Sequence, residues 1–209
     1  MILIGQYDSP FVRRVGIALR LYDIAFEHRP WSTFGDAEKI RPYNPLGRVP
    51  TLVLDDGEAL IESACILDYL DGRVGPERAM VPAAEPERRR ALKVAALATG
   101  LADKAVILFY ERQLHERVSD LWVERCRGQI GRVLEALEAD RAARPGPVWL
   151  GAAIGPAAIA VACALRFVAD AHPGLVAMAG FPALAAHAQK LEAMPVFGEI
   201  AQAFAPPSG

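Results

Sequence analysis

Two short apolar runs separated by an acidic, glycine-containing turn constrain the fold of this 209-residue chain more than any other feature. The runs occupy residues 51–54 and 58–61, and the turn between them reads Asp-Asp-Gly. An Asp-Gly pair between two such runs predicts a β-hairpin. Pro50 stands at the entrance of the first run, where a missing N–H is tolerated, and it holds Val49 extended. The sequence therefore predicts that the backbone of Val49 can pair with an extended peptide.

A helix is predicted directly after the hairpin. Ser63 precedes a helical pattern over residues 64–70, which makes it the expected N-cap. The N-terminus of a helix offers unpaired N–H groups and a partial positive charge, and both suit a carboxylate. A backbone edge beside a carboxylate site predicts a small, peptide-like ligand.

The beginning of the chain predicts a strand, a helix and a second strand. Residues 2–5 form a short apolar run, and Ser9 followed by Pro10 is a well-founded helix start. The helix is expected over residues 11–22 and the second strand over residues 24–29, before a polar loop with a helical turn. With the hairpin and its helix, this gives the thioredoxin-like order βαβ-ββα.

Only helical patterns follow a stretch rich in glycine, proline and charge at residues 75–85, which is the predicted linker. The expected domains are residues 1–74, thioredoxin-like, and residues 86–209, all-helical. The fold class is thus α/β plus all-α. The helices are predicted over residues 88–116, 120–143, 156–169, 182–194 and 195–204.

Composition narrows the functional classes. A net charge of −2 gives no reason to expect a nucleic acid partner, and the apolar runs are too short for a membrane span of about 20 residues. No basic leader or cleavage site is evident at the N-terminus. Cys65, Cys126 and Cys163 lack motif spacing and lie in apolar helical patterns, so we expect reduced, structural thiols in a cytoplasmic protein. The four histidines are scattered, and no metal site is predicted.

The Tyr7-Asp8-Ser9-Pro10 turn, Val49-Pro50, the hairpin and Glu62-Ser63 together resemble the glutathione S-transferase superfamily, and the resemblance covers nearly the whole chain. It implies that Pro50 is cis, that Val49 pairs with the cysteinyl backbone of glutathione, and that Glu62 and Ser63 hold the γ-glutamyl end. It also implies a homodimer, glutathione as co-substrate without a prosthetic group, and a role in detoxification.

Ser9 occupies the turn where a thioredoxin-like fold would carry a Cys-x-x-Cys motif, so exchange through a protein dithiol there is excluded. A serine hydroxyl at a helix N-terminus can instead donate a hydrogen bond to a glutathione thiolate. Lowering a thiol pKa of about 8.5 by two units takes about 2.7 kcal/mol. Tyr7 is the alternative donor, because other branches of the superfamily use a tyrosine near the end of the first strand.

Three further charged residues are weaker candidates for the site. Arg48 and Arg41 could meet the glycyl carboxylate of glutathione by bidentate pairing. The resemblance implies that Asp103 can reach across a dimer to the amino group of the ligand. A solvated surface role remains open for each of the three.

The sequence departs from the family pattern at one helix start. In that family, the helix that matches the one after Trp149-Leu150 usually begins with a Ser/Thr-x-x-Asp capping box. In this sequence, Gly155 and Ala158 occupy the two capping positions. We expect the fold to persist with a less stable helix start.

The resemblance implies a glutathione S-transferase that activates the glutathione thiol for attack on a small apolar electrophile. Two alternatives remain open. One is a binding protein of the same fold without useful turnover. Another is a glutathione-dependent isomerase, which would more usually carry a serine- and cysteine-rich motif at its first helix.

Overall fold

The computed structural model describes residues 1–151 and 153–206, and the chain divides into two compact units. The first comprises residues 1–80 together with the described residues from 194 onward, and the second comprises residues 81–193. The C-terminal segment thus groups with the first unit, although its helical sequence pattern predicts that it belongs to the helical domain. The exact limits of independently folding domains stay a prediction.

A four-stranded mixed sheet forms the centre of the first unit. The strands are β1 (Ile2–Ile4), β2 (Glu27–Arg29), β3 (Thr51–Val53) and β4 (Ala59–Ile61). Their order is β2-β1-β3-β4, with β1 parallel to β2 and antiparallel to β3. The antiparallel pairing of β3 with β4 confirms the predicted hairpin. The second strand is shorter than predicted, because only its last three residues pair with β1.

Four helices complete the first unit: α1 (Pro10–Leu21), α2 (Ala37–Ile40), α3 (Ser63–Val74) and, in the C-terminal segment, α8 (Pro195–Glu199). The apolar faces of α1 and α3 enter a core that also contains β1 and β3. This arrangement confirms the thioredoxin-like order and brings the N-termini of α1 and α3 into one unit.

The second unit is helical. Its elements are α4 (Glu87–Leu114), α5 (Asp120–Ala142), α6 (Pro156–Ala171), a 3-10 turn (Met178–Gly180) and α7 (Pro182–Glu192). Most residues of α6 are buried, as expected for a central helix. Across the described ranges, no helix combines the length and the apolar character needed to cross a membrane.

Helix α6 begins without a side-chain cap, as the sequence predicts. Gly155 is the N-cap residue in an extended conformation, Pro156 is the first helical residue, and no side chain accepts a hydrogen bond from the first turn. His187 on α7 donates from Nε2 to the carbonyl of Ala158 at 3.1 Å, which ties the first turn to a neighbouring helix instead.

The last helix is shorter than predicted: α8 ends at Glu199 rather than near residue 204. Arg13 explains where it ends. Its Nη2 and Nε atoms donate to the carbonyls of Phe197 and Ile200, both at 2.9 Å, and a longer helix would use these carbonyls for its own backbone bonds.

Part of the predicted linker is attached to the first unit through Tyr22. Arg78 donates to the Tyr22 carbonyl at 2.6 Å, and the N–H of Met80 donates to the Tyr22 hydroxyl at 3.0 Å. The same hydroxyl binds Asp71. These bonds hold residues 78–80 against the end of α1.

Candidate functional site

Ser9 lies at the end of a tight turn between β1 and α1. Its N–H donates to the carbonyl of Gln6 at 3.2 Å, which closes a turn with Tyr7 and Asp8 at its centre. Its hydroxyl accepts from the N–H of Val12 at 3.4 Å, so Ser9 is the N-cap that the sequence predicts. A hydroxyl that accepts through a lone pair retains its proton as a donor. The capping role and the proposed role toward a thiolate are therefore compatible.

The ring of Tyr7 packs on α1 beyond its first turn. It stacks on His28 with centroids 3.8 Å apart, and its Cε1 would lie 3.1 Å from a Cβ on Gly16. Gly16 comes seven residues after Ser9, about 10 Å along a helix. Burial raises the pKa of Tyr7 to about 12, so its phenol is neutral at physiological pH.

Asp8 completes the turn with a half-buried carboxylate. Burial raises the pKa of this carboxyl, and the hydrogen bonds that it accepts from the backbone N–H groups of Ala205 and Ser9 partly oppose the shift. The bond from Ala205 measures 3.1 Å. Asp8 thereby joins the C-terminal segment to the turn that carries Ser9.

Val49 presents an unpaired backbone beside this turn. The peptide bond between Val49 and Pro50 is cis, as the resemblance implies. Within the described part of the chain, no group bonds to the N–H or the carbonyl of Val49. Gly5 makes the approach possible: a Cβ there would lie 2.5 Å from Val12 and 2.8 Å from the Cβ of Val49. The free backbone edge therefore stands close to the first turn of α1.

Glu62 and Ser63 begin α3, but the cap lies one residue earlier than predicted. Glu62 is the N-cap residue, with φ of +64°, and Ser63 is the first helical residue. The Glu62 side chain makes no capping hydrogen bond, so the first N–H groups of α3 remain available to a ligand. The Ser63 side chain is buried, and its Oγ accepts from Arg14 at 3.4 Å. Because Arg14 belongs to α1, this contact links the two helix N-termini.

The charged candidates separate into two groups. Arg48 lies 3.6 Å from Glu62, so both are at the start of α3 and beside Val49. Arg41, the residue that follows α2, instead binds Glu38 on that helix, and both side chains are exposed. Asp103 belongs to the second unit and pairs with Lys104 at 3.3 Å. Only Arg48 is brought to the other candidates by the contacts within the first unit.

Two structural residues of this site are not identified by the sequence analysis. Asn44 is buried and donates from Nδ2 to the Arg48 carbonyl at 2.8 Å, while its Oδ1 accepts from the N–H of Leu46 at 3.0 Å. It shapes the loop that presents Val49. Arg14 is the second, through its contact with Ser63. The Asn-Pro pair before the hairpin is a turn signal that could have identified Asn44. Nothing in the neighbouring sequence distinguishes Arg14 from a surface arginine.

The described residues show no group of His, Cys, Asp or Glu side chains arranged to hold a metal ion. Cys126 and Cys163 are buried, and burial raises the pKa of the Cys126 thiol. Cys65 is exposed on α3, which corrects the expectation of an apolar environment. The candidate site in the first unit offers the Val49 backbone, the N-termini of α1 and α3, and Arg48. These groups suit a small anionic peptide.

Comparison with known proteins gives matches in both units. Residues 3–78 match the family described as "Glutathione S-transferase, N-terminal domain", and residues 120–190 match "Glutathione S-transferase, C-terminal domain". The uncharacterized GST-like protein YibF of Escherichia coli K12 is 34% identical over 173 residues, which are 80% of this chain and 82% of YibF.

Two further relatives carry a stated activity or ligand. Maleylacetoacetate isomerase of Pseudomonas aeruginosa is 37% identical over 102 residues, 46% of this chain and 48% of the isomerase. A glutathione transferase family member from Pseudomonas fluorescens Pf-5, solved with bound glutathione, is 33% identical with a TM-score of 0.83, covering 99% of both chains.

Proposed function

The chain belongs to the glutathione S-transferase family, and we propose that it is a glutathione transferase that activates the glutathione thiol for attack on a small apolar electrophile. The observation that carries the proposal is the position of Ser9. Its hydroxyl proton is available at the N-terminus of α1, on the unit that also carries the free backbone of Val49 and the uncapped start of α3.

Binding of glutathione is assigned to three features of the first unit. Val49 would pair through its N–H and carbonyl with the cysteinyl backbone, as in the addition of a strand. The first N–H groups of α3 and the Ser63 hydroxyl would bind the γ-glutamyl carboxylate, and Glu62 would bind the amino group. Glutathione was bound in the solved structure of the Pseudomonas fluorescens relative, which supports the same ligand here.

The glycyl carboxylate of glutathione is assigned to Arg48. This arginine is exposed and lies next to Val49, so it can turn from Glu62 toward a ligand without losing a buried contact. Arg41 is less suitable, because its ion pair is with Glu38 on α2, whereas the ion pair of Arg48 is with Glu62 at the start of α3. Pro50 acts through its cis bond, which shapes the backbone of Val49.

Thiol activation is assigned to Ser9 rather than Tyr7. The hydroxyl of Ser9 would stabilise a thiolate by a hydrogen bond, and the partial positive charge at the N-terminus of α1 would add to it. The Tyr7 ring is stacked on His28, and its Cε1 would lie 3.1 Å from a Cβ on Gly16. Gly16 is seven residues beyond Ser9, about 10 Å along a helix, so the ring packs further along α1 than the first turn.

Similarity to maleylacetoacetate isomerase supports isomerisation as a second candidate activity. An isomerase also needs the glutathione thiolate, which adds to the substrate and leaves again, so both activities depend on Ser9. The two differ in the fate of glutathione: it is consumed by a transferase and regenerated by an isomerase. We place the transferase first because the match to the isomerase spans less than half of either chain.

Three wider features belong to the same proposal. A homodimer is expected, with Asp103 reaching the ligand of the partner subunit. A cytoplasmic location agrees with three cysteines that lack the spacing of a disulfide framework. Detoxification of electrophiles would be the physiological role, without a prosthetic group.

The experiment is a glutathione consumption assay with a panel of electrophiles and with maleylacetoacetate. Ser9→Ala should lower the conjugation rate at neutral pH by about one to two orders of magnitude, with nearly unchanged affinity for glutathione. Tyr7→Phe is the matched control and should change the rate little. Isomerisation without net loss of glutathione would favour the second activity, and binding without either reaction would reject catalysis.

A further inference from the structure

The C-terminal tail, residues 200–206, is bound to the turn that carries Ser9. The turn runs from Gln6 to Ser9, and its two central residues each make a hydrogen bond to the tail. The Tyr7 N–H donates to Oε1 of Gln202 at 3.1 Å, and the Ala205 N–H donates to Oδ2 of Asp8 at 3.1 Å.

The base of the tail is fixed independently on α1. Arg13, which is 3% exposed, donates to the carbonyls of Phe197 and Ile200. Ile200 also lies close to α1, since a Cβ on Gly16 would be 2.9 Å from its Cγ2. The tail therefore leaves a buried anchor only two residues before Gln202. This short connection restricts how far Gln202 can move from the turn.

The consequence concerns the hydroxyl of Ser9. A tight turn has few degrees of freedom, and holding its two central residues restricts the backbone of the residue that follows. A donor that stabilises a thiolate must lie within hydrogen-bond distance of the sulfur, and small displacements lower its contribution sharply. We propose that Gln202, together with Ala205, is a positioning element that holds the Ser9 hydroxyl toward the thiol of glutathione. This inference rests on the proposed function.

The first test variant is Gln202→Met, which keeps the length of the side chain and removes the acceptor of the Tyr7 N–H. Gln189→Met is the matched control, because Gln189 is exposed on α7. We expect Gln202→Met to lower kcat about three- to ten-fold, the size of one hydrogen bond, with KM for glutathione unchanged within about two-fold. The bound thiol should also titrate at a higher pH than in the wild type.

A double variant separates positioning from general stability. If Gln202 acts through the Ser9 hydroxyl, Gln202→Met should have no further effect on kcat in a Ser9→Ala background. An equal loss in both backgrounds would overturn the inference. So would a lower thermal midpoint with an unchanged thiol titration, because that is what a merely structural contact would give.

A second variant provides for the case in which Gln202→Met fails to fold. Ala205→Pro removes the N–H that binds Asp8 and leaves Gln202 in place. It should give the same pattern, a lower kcat that disappears in the Ser9→Ala background. If the wild type shows no glutathione thiolate at all, the proposed function and this inference are both overturned. If the wild type shows it and both tail variants match the control, only the inference is overturned.

Discussion

Replacing Arg13 by methionine tests how the C-terminal segment is fastened to α1. The arginine is buried and donates to two carbonyls at 2.9 Å, at the C-terminal end of α8, where the helix dipole also favours a positive charge. Methionine keeps most of the apolar stem and removes both donors. A buried acceptor that loses its donor costs about 1–3 kcal/mol. With two such carbonyls, Arg13→Met should lower the free energy of unfolding by about 2–6 kcal/mol.

Arg20→Gln is the matched control on the same helix. Arg20 also contacts the C-terminal segment, through an ion pair of 2.8 Å with Glu199, but both side chains are about half exposed. Exposed ion pairs contribute about 0–1 kcal/mol, so this variant should unfold close to the wild type. Urea denaturation followed by circular dichroism measures both. A loss below about 1 kcal/mol for Arg13→Met, or equal losses in the two variants, would refute the reasoning.

Three further predictions concern the second unit and the assembly. Burial lowers the pKa of His172 and His187, so the unfolded state binds more protons than the folded state below about pH 6.5. The free energy of unfolding should therefore fall as the pH decreases through that range. His187→Phe should flatten this dependence in urea titrations at about pH 5–8. Gly155→Ser with Ala158→Asp should restore the capping box and add about 0.5–2 kcal/mol to the free energy of unfolding. An unchanged or lower urea midpoint would show that the start of α6 does not lack these acceptors. Sedimentation should give about twice the chain mass of 22.6 kDa, and a monomer would remove Asp103 from the site.

The hairpin and the start of α1 were predictable because their signals are local. An Asp-Gly turn between two apolar runs and a Ser-Pro pair before a helical pattern fix the backbone within a few residues. The start of α3 was displaced by one residue. The cap is Glu62 at positive φ, and glutamate gives no sign in the sequence that it will adopt this conformation.

The C-terminal segment was predicted less well, because its structure is decided by distant partners. Its pattern predicts a helix to residue 204, yet α8 ends at Glu199, where Arg13 takes two carbonyls from across the unit. Arg13 and Arg14 are adjacent in sequence and look alike as surface charges, but both are buried and serve different contacts. Pairings over 49 to 187 positions of sequence leave no periodic signal.

The role of Ser9 is tested by the thiolate absorbance of bound glutathione, followed from about pH 5 to pH 10. If Ser9 stabilises the thiolate, the bound thiol of the wild type titrates about two units below the free thiol, whose pKa is about 8.5. Ser9→Ala should raise the pKa of the bound thiol by about one to two units, equivalent to about 1.4–2.7 kcal/mol, and Tyr7→Phe should leave it unchanged. A shift in the tyrosine variant without a shift in the alanine variant would show that Ser9 only caps α1 and that Tyr7 activates the thiol.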